Sequence, residues 1–103
     1  MIALDTGDVI QGDAAVATKV DYTLFGVVEG VSVPLANGQL ASSIGTLYTG
    51  PASKGTTVDN IILVNTDTSA RAVNLYFLPS GGTARRLIPK DLSLAAGAQL
   101  EVT

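Results

Sequence analysis

Apolar residues in this chain recur at every second position, and no window of about 11 or more residues sustains the three-to-four spacing of an amphipathic helix. From Val16 to Leu24 the series Val16, Thr18, Val20, Tyr22, Leu24 alternates with Ala17, Lys19, Asp21, Thr23. That is the period of a strand with one covered face, and it places Lys19 and Asp21 in water. Gly residues, eleven in 103, punctuate the short β-branched segments as turn residues do. An all-β fold is the expectation. Only Leu92 to Leu100 is Ala-rich enough to permit a single helical turn.

The remaining segments read in the same grammar. Gly26 and Gly30 bracket Val27-Val28-Glu29, where a bulge, a sharp bend or a close approach of another chain segment are all compatible with glycine. Asn37-Gly38 tolerates positive φ and predicts a tight turn, which also serves as a candidate internal boundary. Residues 44 to 49 form a strand ended by Gly50-Pro51, and Val58 to Val64 is the most apolar segment, predicted as a central strand covered on both faces. Asn65-Thr66-Asp67-Thr68-Ser69 then turns the chain into Ala70 to Leu78, so these two strands are predicted to form a long antiparallel hairpin. Three short strands follow at Arg85 to Ile88, Leu92 to Leu94 and Ala98 to Val102.

Composition sets the class of protein. With 47% apolar and 15% charged residues the chain is far from a disordered composition, and its length permits one small core. Marginal stability follows, which makes oligomerisation an expectation. Ile61-Ile62-Leu63-Val64 is far shorter than a membrane span. The N-terminus carries Asp5 and Asp8 in place of a basic segment and an apolar run, so no cleavable secretory signal is visible and synthesis in the cytoplasm is expected. Residues 1 to 51 hold five acids against Lys19, net −4, and residues 52 to 103 hold four acids against five bases, net +1. The two halves are suited to different neighbours.

Absent residue types exclude much chemistry. Without His or Cys, neither a Ser-His-Asp nor a Cys-His arrangement can be built, and imidazole or thiolate metal sites are ruled out with them. Asp5, Asp8, Asp13 and Asp21 offer paired carboxylates, but they sit in a polar region without aromatic lining, as solvated loop charges do. Asp5-Thr6-Gly7-Asp8 lacks the alternating acids of a calcium loop, and Ser80-Gly81-Gly82-Thr83 lacks the Lys of a phosphate cradle. No catalytic residue and no cofactor is assigned. The one basic concentration is Arg85-Arg86 with Lys90 and Arg71. In a chain of net charge −3 these suit carboxylates of a neighbouring subunit better than nucleic acid. Arg85 and Arg86 are consecutive in a strand and must point to opposite faces. Tyr22, Tyr48 and Tyr76 read as core or interface packing, with stacking on sugar rings as the functional alternative. Candidate interface residues are therefore Arg71, Tyr76, Arg85, Arg86 and Lys90.

From Leu40 to Val102 the order and spacing of Ser42 to Thr49, Val58 to Asn65 with its Asn65-Thr66 turn, Val73 to Tyr76 and Ile88 to Leu94 resemble a group of small virion proteins of tailed bacteriophages. Thr6 to Ile10 and Lys19 to Thr23 look like the leading segment of such proteins. The resemblance implies a compact antiparallel β-sandwich, jelly-roll-like, used in particle architecture at the capsid surface or in fibres and tail parts, as trimers. It carries no residue-level site. On this reading residues 1–39 form an N-terminal β arm or small subdomain and residues 40–103 the sandwich. The expected function is a non-enzymatic capsid decoration or cement protein, located in the virion. It would form homotrimers on the major capsid or other virion proteins, without nucleic acid or membrane. A chain of 103 residues is too short to make a long fibre by itself. The rival expectation is a receptor- or carbohydrate-binding module of a tail or fibre, with Tyr48 or Tyr76 in its contact surface.

Overall fold

Ten strands and no helix make up the computed structural model, which describes residues 1–103. In chain order they are β1 (Ile2–Leu4), β2 (Val9–Ala14), β3 (Val20–Val28), β4 (Val31–Gln39), β5 (Gly45–Thr49), β6 (Thr56–Asn65), β7 (Arg71–Leu78), β8 (Arg85–Arg86), β9 (Leu92–Leu94) and β10 (Gln99–Val102). One sheet runs β1-β6-β3-β4. Its β6 pairs with β1 at Thr56 to Val58 and with β10 at Ile61 to Val64, both along one edge. The other sheet runs β5-β2-β7, with β8 and β9 sharing the far edge of β7. All pairings are antiparallel.

The two sheets stack as a β-sandwich. Val20, Leu24, Val58, Ile61 and Leu63 of the first sheet join Ile10, Ala14, Val73, Leu75 and Leu94 of the second in one buried cluster. Each large side chain sealed there stabilises the fold by roughly 1.5–3 kcal/mol. Tyr22 and Tyr48 pack against this cluster, as their core reading anticipated.

Several expectations need correction. The predicted hairpin between β6 and β7 does not exist, because these strands lie in opposite sheets and the Thr66–Ala70 segment crosses between them. Each already has neighbours on both edges, so the two meet face to face. Residues 1–39 are not a separate arm: β2 is the middle of its sheet, β3 pairs along the whole of β6, and Leu4, Ile10, Ala14, Val20 and Leu24 are core residues. Asn37-Gly38 is not a turn but lies within β4, opposite Thr23 and Tyr22, where the Tyr22 ring covers the bare glycine. The turn is at Glu29-Gly30, whose φ angles of 50° and 79° make the two-residue connection that suits right-twisted strands. Strand β3 starts at Val20, not Val16, because Thr18 adopts φ 62° and breaks the extended run. Strand β6 is central yet covered on one face only, leaving Ile62 and Val64 half-buried on the outside. Leu92 to Leu100 holds two strands and a turn at Gly97, with no helical turn.

Candidate functional site

The alternation of β7 sends Val73 and Leu75 into the core and Asn74 and Tyr76 to the outer face. An outer-face side chain at the middle of a sheet is ordinarily wet, but Asn74 is only 5% and Tyr76 only 7% exposed. Three charged residues cover them. Asn74 donates from Nδ2 to Asp13 Oδ1 (2.9 Å) and to Asp91 Oδ1 (3.0 Å). Its Oδ1 accepts from Arg86 Nη1 (2.6 Å) and from the Asp91 amide (2.9 Å). The carboxamide thus uses both donors and both lone pairs. Tyr76 donates its hydroxyl to Asp13 Oδ2 (3.1 Å), and the Arg86 guanidinium lies 5.1 Å from the Tyr76 ring centre.

Strand register explains this placement. Asp13 sits opposite Asn74 across the β2–β7 ladder, and Arg86 sits opposite Tyr76 across the β7–β8 ladder. Asp91 reaches Asn74 because its own φ of 51° turns the chain back after Pro89-Lys90. Both carboxylates and the guanidinium are held by neighbours, and no buried side-chain polar atom in the chain lacks a partner. Chemically the cluster is a closed clasp that holds β8 and the Pro89–Asp91 segment onto the sheet.

Of the predicted interface residues, the structure brings Tyr76 and Arg86 together and separates the others. Arg71 is at the other end of β7, where its Nε donates to Asp67 Oδ2 (2.7 Å) in an ion pair. That hydrogen bond, with the Thr68 amide, holds the Asp67 carboxyl below the usual carboxylate range. Arg85 faces away from Arg86, as alternation requires, and both Arg85 and Lys90 are exposed. Neither tyrosine of the rival reading presents a free ring: Tyr76 is under the clasp, and Tyr48 packs against the core. Asp13, Asn74 and Asp91 were missing from the predicted set. The available signal was Asn74 itself, an amide in the middle of an otherwise apolar strand.

Two titrations follow from the geometry. Burial and then the adjacent Asp13 carboxylate push the Tyr76 hydroxyl above its ordinary value. The neutral phenol is therefore favoured in the fold, its contribution complete below about pH 10 and lost as pH rises through the higher folded-state value. Alkaline urea denaturation should show this loss, and Y76F should lack that part of it. Asp8 behaves oppositely: its carboxylate accepts from the Ser80 amide through Oδ1 (2.9 Å) and from the Asp5 amide through Oδ2 (2.9 Å), which lowers its pKa. Its contribution is present above about pH 4 and is lost as pH falls through the lower folded-state value. In D8N the decline of the urea midpoint below pH ~4 should be shallower, since a carboxamide does not titrate there and offers an acceptor at only one of the two oxygen positions.

On the opposite side of the molecule the first sheet carries a hollow. Relative to β3, strand β4 has one extra residue, Leu35, and β6 has one extra residue, Asp59, at the same level. These facing bulges bend the sheet around the Phe25–Gly26 step. They leave an open groove of about 360 Å³ lined by Phe25, Gly26, Ser32, Val33, Pro34, Asp59 and Asn60. Phe25 is flanked by Asn60 on one side and Pro34 on the other, and is 42% exposed. No family model, no curated protein and no solved structure matches this chain.

Proposed function

We propose that this protein is a non-enzymatic structural component of a bacteriophage particle, a decoration or cement protein that oligomerises on the capsid. The observation that carries the reading is the contrast between its polar and apolar surfaces. The polar cluster around Asn74 is closed on itself, while, apart from Phe25 in its groove, Met1, Val16, Val31 and Ile44 stand exposed around an otherwise covered core. Strand β4 adds a nine-residue edge with no neighbour on its outer side, and Val31 at its start is 61% exposed. Edges and apolar side chains of this kind are met in assemblies by other subunits. The resemblance of Leu40 to Val102 to small virion proteins supplies the particle.

In this reading three copies bury these edges against each other, and a cyclic trimer does so by matching two different patches of the surface. The exposed Arg85 and Lys90 and the acidic N-terminal half supply charges of opposite sign for such a match, or for contact with the major capsid protein. Quantitative mass spectrometry of purified particles tests the assignment. Many copies per particle are expected, together with an oligomer by light scattering, whereas absence from particles overturns it.

A further inference from the structure

We propose that the groove beside Phe25 is a binding site for a neutral pyranose ring of a glycan. This inference stands apart from the particle assignment and uses none of the tyrosines.

Gly26 lines the groove as bare backbone. The space a Cβ would need there lies on the inner side, filled by the Thr57 carbonyl oxygen and by Leu35, which packs on the core, so Gly26 is fixed in place without a side chain. Next to it the Phe25 ring supplies a flat, partly exposed apolar face with Pro34 beside it. Uncommitted polar atoms border that face. Asp59 uses Oδ1 to accept from Thr57 (3.3 Å) and has Oδ2 free of any protein donor. Asn60 donates through Nδ2 to Glu101 Oε2 (3.2 Å), leaving its carbonyl oxygen open, and Ser32 adds a hydroxyl.

A ligand that satisfies this set has one apolar plane and hydroxyls around its rim, which describes a hexopyranose. Charge narrows the choice. No Lys or Arg lines the groove, while Asp59 lies in it and Glu101 stands behind Asn60, so anionic sugars and phosphates are repelled. A quaternary ammonium would want an aromatic cage, and only one ring is present. At about 360 Å³ the groove falls at the small end of ligand clefts and holds one or two rings. Being open, it binds weakly, with a dissociation constant on the order of 1–10 mM.

The test is an amide-resolved NMR titration of the full chain with methyl glucoside, methyl galactoside, methyl mannoside and N-acetylglucosamine, with tetramethylammonium and inorganic phosphate as separate arms. Saturable shifts confined to the amides of residues 25–26, 32–33 and 59–60 are expected with at least one sugar. F25L keeps apolar bulk at an exposed position but removes the aromatic face, and should weaken that binding about tenfold with other resonances unmoved. The proposal is overturned by no saturable shift with any sugar, by shifts scattered over the surface, by equal binding to F25L, or by a response to tetramethylammonium or phosphate alone.

Discussion

Asn65→Ala is expected to destabilise the protein by about 3–4 kcal/mol, more than most single truncations of a polar side chain. Asn65 is the last residue of β6 and is 0% exposed. Its Nδ2 donates to the Ser69 and Leu94 carbonyls, both at 2.9 Å, and its Oδ1 accepts from the Asp67 amide at 3.0 Å. Its backbone receives Gly97 N–H and donates to the Ala98 carbonyl. One side chain therefore ties the sheet-to-sheet crossover to the loop before β10. Removing it strands the buried Leu94 carbonyl in a place water does not reach. Asn65→Asp sharpens the test, because a carboxylate there faces two carbonyl oxygens with no hydrogen to offer. That variant should be worse than alanine at neutral pH and partly recover in acid, as seen in urea midpoints; equal stability of wild type and Asn65→Ala would refute the assignment.

Gly26→Ala should cost at least about 3 kcal/mol, at the upper end of overpacking effects. The Thr57 carbonyl oxygen occupies the space a methyl group would need, and Leu35 Cδ1 is 2.8 Å from the same point. Leu35 is a flexible side chain and can yield, but Thr57 is backbone of β6. Strand β3 is held by β4 on one side and β6 on the other, so it cannot move away. Gly55→Ala, where an added methyl meets nothing within 4 Å, is the matched control and should shift the thermal midpoint little. Similar midpoints for the two variants would mean that the facing bulges are not rigid.

These two positions also mark what the sequence conveyed and what it withheld. Period-two alternation at Val20 to Leu24 and Val73 to Phe77 correctly reported strands with an inward apolar face in an all-β fold, while the sandwich was what the resemblance implied. Alternation could not report whether β6 and β7 lie edge to edge or face to face, since both arrangements bury the same alternate residues. Asn65 to Ser69 has the composition of a hairpin turn and of a crossover alike; the deciding bond, Asn65 to the Leu94 carbonyl, spans 29 residues. Likewise Asn37-Gly38 carries turn chemistry, but Tyr22 shields the glycine in an extended strand and Glu29-Gly30 makes the turn. For the clasp, Tyr76 and Arg86 were legible as polar or aromatic residues in short strands. Asp13 and Asp91 were not, because their roles depend on register across two ladders and on one backbone angle.

Strands β1 and β10 lie end to end along one margin of β6, the first at residues 2–4 and the other near residue 100. During vectorial synthesis the Ile61 to Val64 ribbon, the greasiest stretch of the polypeptide, therefore waits with one side bare until Gln99 to Val102 has left the ribosome. Nascent chains stalled before that point should be the species that chaperones hold and that clump when overproduced.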